Sequence, residues 1–358
     1  MTHPNVDIAL HTAKSWNADS APGVQRELII RVVGRRTFLA GAAASMAGSV
    51  PVAARATPIV RLGILQFGTV QWIGDVIQRN ALDAANGFKL SPTTLANTDA
   101  GRVALMANGA DIIVSDWMFA AGQRAAGTKL CFAPFSSSTG AIMVAESSPI
   151  RSLADLGNRN LGIAGGPMDK SWLVVRAAAR AATGADLEKI ANIVFGAPPL
   201  LNAKLMQGQL DAVLTYWNFA ARLEAANYRQ VISVDDCAQR LGLPAAMCLV
   251  GFVFREDWAI QNTGAINGFL AAATAAEALL AGSPEEWRQI RPLMNAPDDL
   301  LFEALKLRFA KGISHPSAGA QERAAAQLFE VLLQTGGSRA TDGLAQLPRG
   351  IFWPTPTA

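Results

Sequence analysis

The chain has 358 residues, 51% of them hydrophobic and 16% charged. That is enough to build one large or two medium cores, and it excludes a disordered or fibrous chain. The net charge of +3 is unevenly divided: residues 1–56 hold six Lys/Arg and three Asp/Glu, and the rest holds 25 of each. A balanced remainder without a Lys/Arg cluster has no electrostatic footprint for nucleic acid or an anionic membrane surface.

The first 56 residues read as an address. Gly34-Arg35-Arg36-Thr37-Phe38-Leu39-Ala40 follows the twin-arginine export pattern, a Gly/Ala/Ser-rich apolar stretch follows, and Ala54-Arg55-Ala56 is a small-x-small cleavage site. Export by the twin-arginine pathway to the periplasm, with cleavage after Ala56, is the expectation. The apolar stretch is shorter than the roughly 20 residues a membrane span needs. Later in the chain, the apolar run over 271–280 is interrupted by Glu277 and followed by Gly282. The mature chain is therefore expected not to span a membrane. Of the three cysteines, Cys131, Cys237 and Cys248, no two form a Cys-x-x-Cys pair. Pairing of Cys237 with Cys248 is left open, because spacing alone does not give the Cα separation a bridge needs.

After residue 57 the apolar pattern predicts alternating strands and helices. Strands are expected over 60–65, 89–95, 110–114 and 141–145, with helices over 72–85 and 100–108, the latter ended by Gly109. A second unit follows: strands over 160–164, 190–195 and 210–215, and helices over 171–183, ended by Gly184, and 198–207. Residues 249–254 read as a strand returning to the first sheet, and Ala/Leu-rich helices punctuated by prolines follow. The expected fold class is α/β: parallel sheets in two lobes, covered on both faces, with a helical C-terminal region. The expected boundaries are 57–145 for the first part of lobe 1, 146–245 for lobe 2, and 246–358 for the return strand and C-terminal helices.

Ligands in open α/β sheets sit beyond the carboxyl ends of the strands. Two facing lobes would bring the loops over 66–72, 115–119, 136–140, 165–172 and 216–219 to one cleft. Trp72, Trp117, Trp172, Tyr216 and Trp217 all fall at these loops in a chain with eight Trp and two Tyr. Such rings can sandwich a planar group or enclose a cation, although ordinary packing is expected for some, Trp172 first. Asp116 and Asp169 stand where they can either face a ligand or cap the following helix. Asp99 is expected to cap the helix from Ala100, and Asp211 to be structural. The turn Gly165-Gly166-Pro167-Met168-Asp169-Lys170 opens a helix whose N–H groups suit an anion or polar group, whereas Asp169 opposes an anion.

Ile150-Arg151-Ser152-Leu153-Ala154-Asp155-Leu156 with Asn160-Leu161-Gly162-Ile163-Ala164, Leu205-Met206-Gln207-Gly208-Gln209-Leu210-Asp211-Ala212, and Met106-Ala107-Asn108-Gly109-Ala110-Asp111 occur in this order. Their succession resembles the periplasmic solute-binding proteins of ABC transporters in the nitrate, sulfonate and thiamine-precursor (SsuA-like) group, over residues 59–258. The resemblance implies a type II periplasmic-binding fold, with two lobes closing on a small solute by hinge motion. It also implies an ABC permease and ATPase as partners, a monomer, and ligand contacts near Ser137 and Ser138 at the lobe junction. Candidate ligand-binding residues are thus Trp72, Asp116, Trp117, Ser137, Ser138, Gly166, Asp169, Lys170, Tyr216 and Trp217. The solute class stays open among sulfonate-, nitrate- and pyrimidine- or amine-like molecules.

Some relatives on this fold are enzymes, but of His3, His11 and His315 only the last follows the cleavage site. No Gly-x-x-x-x-Gly-Lys-Ser/Thr, Gly-x-Ser-x-Gly or Gly-x-Gly-x-x-Gly motif occurs. A binding protein without cofactor is the expectation, with a metal-capturing protein using cleft carboxylates or a carboxylate-dependent enzyme as alternatives.

Overall fold

The computed structural model describes residues 56–354 except 67, 245 and 246. The expected export segment, but for Ala56, lies outside the described residues. The chain opens with β1 (Ile59–Leu65), α1 (Val70–Arg79), α2 (Leu82–Ala85), β2 (Lys89–Leu95), α3 (Thr98–Met106), β3 (Ile112–Asp116), α4 (Trp117–Ala125) and β4 (Leu130–Ser136). It crosses to β5 (Gly140–Ala145), a 3-10 turn at Leu153–Leu156, β6 (Asn160–Ala164), α5 (Lys170–Thr183), α6 (Leu187–Ile190), β7 (Asn192–Gly196) and α7 (Pro198–Met206). There follow β8 (Ala212–Tyr216), α8 (Trp217–Ala225), β9 (Tyr228–Ser233) and α9 (Val234–Arg240). The chain returns through β10 (Val250–Arg255) and ends in α10 (Glu256–Gln261), α11 (Thr263–Gly282), α12 (Pro284–Met294), α13 (Asp299–Gly312) and α14 (Ala318–Ala340).

Local chemistry sets many of these bounds. Asn97 Oδ1 accepts from Ala100 N at 2.9 Å and starts α3 two residues earlier than expected, so Asp99 lies in the first turn instead of capping it. Asn108, at φ +61°, carries the left-handed turn after α3, a role the sequence assigned to Gly109. Gly184, at φ +76°, ends α5 as expected. Ala81, at φ +50°, splits the predicted helix over 72–85 into α1 and α2.

Ten strands form two five-stranded sheets, ordered β2-β1-β3-β10-β4 and β7-β6-β8-β5-β9. The expectation of all-parallel sheets is corrected. In each sheet one strand from the other side of the chain runs antiparallel: β10 lies between β3 and β4, and β5 between β8 and β9. The boundary between lobes moves accordingly. Residues 140–145, assigned to lobe 1, pair with β8 and β9 and belong to lobe 2, whose start is the crossover at 137–139.

The two lobes carry a repeat at an offset of 100 residues. Between 105–126 and 205–226, nine of 22 positions are identical, among them Asp111/Asp211, Trp117/Trp217 and Phe119/Phe219. The structure superposes their roles. Asp111 Oδ2 accepts from Arg61 N at 2.9 Å and Asp211 Oδ2 from Asn160 N at 2.7 Å, fastening β1 in lobe 1 and β6 in lobe 2. Asn108 and Gly208 share a positive φ, as do Gly127 and Asn227.

The C-terminal helices tie the lobes together. Helix α13 packs along α8, and α14 along α5 and β4. Arg222 of α8 donates to the carbonyls of Met294 (2.7 Å) and Asn295 (3.0 Å) at the end of α12, where the helix dipole favours a cation. Arg308 of α13 pairs with Glu224 of α8 at 2.7 Å. One hydrophobic cluster holds Ile113 and Trp117 of lobe 1, Ile163 and Trp172 of lobe 2, and Leu328 and Phe329 of α14. Each such fully buried side chain contributes on the order of 1.5–3 kcal/mol. Helix α11 is long and apolar enough to cross a membrane, but half of its apolar window is buried, and it packs on α1, α12 and β1 as a core helix.

Candidate functional site

The sheets direct the carboxyl ends of β3, β6 and β8 toward the junction of the lobes. At the end of β3, Asp116 Oδ1 accepts from Phe119 N at 3.0 Å and caps α4, while its Oδ2 takes Arg102 Nη2 at 2.8 Å. Arg102 also lies 4.7 Å over the Phe119 ring. After β6, Asp169 N donates to Gly166 O at 2.9 Å to close the turn, and Asp169 Oδ1 accepts from Ser171 N (3.0 Å) and Trp172 N (3.3 Å) to cap α5. At the end of β8, Tyr216 Oη donates to Asp169 Oδ2 at 3.4 Å.

Asp169 and Tyr216 therefore meet at the strand ends of lobe 2, within electrostatic reach of Asp116 in lobe 1. Burial, with a smaller contribution from the Asp116 charge, pushes the Asp169 carboxyl up to about 6 against its two backbone donors and the Lys170 charge. Burial and the Asp169 charge push the Tyr216 phenol well above its ordinary range. Gly165, at φ +87°, lies tight against them: a Cβ there would lie 2.9 Å from Asp169 Oδ2 and 3.0 Å from Tyr216 Oη, so the turn takes only glycine. The neighbouring Lys170 lowers the Asp169 value by its charge without forming an ion pair with it, its Nζ lying 3.3 Å from Met168 O and 3.9 Å from Asp342 Oδ2.

The aromatic residues divide. Trp72 and Trp217 meet across the lobes, ring centroids 5.9 Å apart and edge to face, in a cluster with Trp287 and Phe309. They pack on each other instead of presenting open faces, and Trp72 is 2% exposed. Trp117 is corrected from a cleft face to a core residue: at 1% exposure its ring is turned into the cluster under α4. Trp172 is core as expected.

Ser137 and Ser138 are corrected too, because their hydroxyls bind protein. Ser137 Oγ donates to Gly312 O at 3.4 Å and Ser138 Oγ to Arg308 O at 3.1 Å, so this crossover clasps the end of α13. A Cβ on Gly312 would collide with Ser138 Oγ, which requires glycine there. Thr139 faces the lobe 2 side, its Oγ1 donating to Asp235 Oδ1 at 3.2 Å, and burial pushes Asp235 up to about 6. Sequence reasoning missed Arg102 and Gly165 as neighbours of the site. Arg102 is 14 residues from Asp116 and carries no local signal, whereas the Gly-Gly turn was visible but not assigned to its first glycine.

Cys131, Cys237 and Cys248 are separate buried thiols, pushed up by burial to about 11, 12 and 12, and the pairing left open does not form. Among the described residues no group of three or more His, Cys, Asp or Glu is arranged to hold a metal ion.

Solved structures share this architecture. The alkanesulfonate-binding protein SsuA from Xanthomonas axonopodis pv. citri, bound to MOPS, matches with TM-score 0.64 and 16% identity, over 84% of this chain and 99% of that one. The periplasmic aliphatic sulphonate binding protein SsuA from Escherichia coli matches with TM-score 0.61 and 19% identity, over 84% and 94%. The periplasmic nitrate-binding protein NrtA from Synechocystis PCC 6803 matches with TM-score 0.57 and 13% identity, over 80% and 85%. At these identities the likeness establishes the fold, the two-lobed periplasmic-binding type II architecture. A comparison with curated proteins finds no match. The family model described as NMT1/THI5 like matches residues 94–287, from the end of β2 into α12, and the chain belongs to the NMT1/THI5-like family.

Proposed function

We propose that this protein is the extracytoplasmic solute-binding subunit of an ABC importer. It captures a small organic solute between its lobes and delivers it to a membrane permease driven by a cytoplasmic ATPase. Its place is the periplasm, reached by the twin-arginine signal at Arg35-Arg36, and it acts as a monomer without cofactor or catalysis. The observation that carries this reading is the meeting of Asp169 and Tyr216 of lobe 2 at the strand ends, within electrostatic reach of Asp116 of lobe 1, in the fold of sulfonate- and nitrate-binding proteins. Lobes joined by a short crossover and by β10 can part and close, and a ligand that touches both favours the closed form. Gly166, Lys170, Tyr216 and Trp217, with the two carboxylates, border the ligand in this reading, and Trp72 parts from Trp217 when the lobes open.

The absence of any histidine but His315 after the cleavage site supports binding over histidine-dependent catalysis. His315 Nε2 lies 3.3 Å from the buried Glu277, in the C-terminal region away from the strand ends. The test is thermal unfolding of the protein recovered from the periplasmic fraction against sulfonates, nitrate, pyrimidines and amines. A selective, saturable rise in midpoint, accompanied by a smaller radius of gyration in X-ray scattering, is expected. Turnover of a bound compound would overturn the reading.

A further inference from the structure

We infer that the seam between the lobes holds the positively charged, N–H-rich end of its ligand, an ammonium, amidinium or guanidinium group, against the carboxylates of Asp169 and Asp116. The inference rests on the solute-binding reading and names the chemistry its ligand must carry. Helix N-termini at strand ends are the ordinary receptors for oxyanions. Here the starts of α4 and α5 are already filled by the chain's own carboxylates, through Phe119 N at 3.0 Å and through Ser171 N and Trp172 N at 3.0 and 3.3 Å. A sulfonate or nitrate at either helix would meet a carboxylate in its place.

The two carboxylates are not equally compensated. Asp116 is paired with Arg102 at 2.8 Å, whereas no Lys or Arg forms an ion pair with Asp169 among the described residues. Asp169 Oδ2 receives one long hydrogen bond, from Tyr216 at 3.4 Å, and a carboxylate oxygen has lone pairs to accept from a second donor.

Two buried polar atoms on β8 and α1 also lack a partner. Thr215 Oγ1, one residue before Tyr216 in a residue 1% exposed, has no hydrogen-bond partner, and neither has Trp72 Nε1, whose ring meets Trp217 across the lobes. Buried polar atoms are seldom left unpaired without a functional reason. Within the repeat, Asp116 stands where its counterpart is Tyr216, and both act on Asp169, the one through its charge and the other through its hydroxyl. Helix α1, by contrast, begins at Thr69 without a side-chain cap, so the inference concerns the cationic end of the ligand and not its whole charge.

The test uses matched probes that differ in one group: taurine against isethionate, ethanolamine against ethylene glycol, and benzamidine against benzamide. Each is titrated calorimetrically into the wild-type protein and into Asp169→Asn, a substitution that keeps a good N-cap on α5. Circular dichroism checks that the fold is retained. In the wild type the charged nitrogen member is expected to bind about tenfold or more tightly than its neutral counterpart, and in Asp169→Asn that preference is expected to vanish. Isethionate or benzamide binding as tightly as its partner overturns the inference while leaving the importer reading intact, and so does a preference that survives in Asp169→Asn. Silence from all six probes counts against both.

Discussion

Lobe 1 and lobe 2 use the same 22-residue segment for different ends. In lobe 1 the start of α4 is self-sufficient: Asp116 caps it, Arg102 neutralises Asp116, and Trp117 fills the core beneath. In lobe 2 the equivalent helix α8 has no side-chain cap. Its first N–H, on Trp217, donates instead to Thr139 O of the crossover at 3.0 Å, and its outer face is taken by α13 and by the end of α12. One copy closes on itself, and the other is completed by contacts from outside its own lobe. A repeat therefore conserves the residues that build each lobe, while the positions between them are free to specialise toward the junction.

The sharpest way to break this comparison is the shared tryptophan. Trp117→Ala is expected to cost about 3–5 kcal/mol, as for other fully buried aromatic residues, and Trp217→Ala less than half of that. Urea midpoints at constant m-value measure both. Equal losses would mean that the two lobes do not differ as described. Trp217→Ala should in addition enlarge the radius of gyration of the unliganded protein, because it removes the edge-to-face contact with Trp72.

A second, smaller contrast concerns the shared aspartate. Asp111 is 3% exposed and holds both Arg61 N and the half-exposed Arg61 guanidinium, so Asp111→Ala is expected to cost about 2–3 kcal/mol, chiefly by leaving the Arg61 N–H without this partner. Asp211 holds a single backbone N–H at a more exposed edge, and Asp211→Ala is expected to cost about 1 kcal/mol. Denaturant titration of the two variants side by side decides it.

The smallest effect is a dependence on pH. Asp169 has a folded-state value near 6, above its ordinary value, so the folded protein keeps a proton that the unfolded chain releases. Its contribution to stability is present at low pH and is lost as pH rises through about 6. Asp235, near 6, and Glu277, near 8 and facing His315, act in the same direction. Between pH 4 and 7, Asp169→Asn should flatten the fall in stability by roughly 1–3 kcal/mol, and Asp116→Asn, which removes only the smaller contribution of its charge to Asp169, should flatten it less. An unchanged slope in Asp169→Asn would mean that Asp169 is solvated like a surface carboxylate.

Much of the fold was legible because hydrophobic periodicity is a local property. The strands over 89–95 and 160–164 were placed at their observed ends, and most other elements within two residues. Strands β4 and β9 went unassigned. Residues 130–136 carry Cys131 and Pro134 without alternation, and 228–233 form a polar edge strand, so both depend on pairing with β10 and β5 for their identity. The antiparallel strands were invisible for the same reason, since direction within a sheet is decided by which distant strand lies alongside.

The sequence by itself determined the two alternating units, the family pattern and the positions of the carboxylates at the strand ends, because periodicity, turn residues and motif order act over a few residues at a time. Tertiary structure alone decided which of those positions face one another. It turned Trp117 inward and set Trp217 against Trp72, handed Ser137 and Ser138 to α13, paired Asp116 with Arg102, and left Asp169 beside Tyr216 without an ion pair among the described residues. Those outcomes depend on packing and on charge compensation between segments far apart in the chain, which no local pattern encodes.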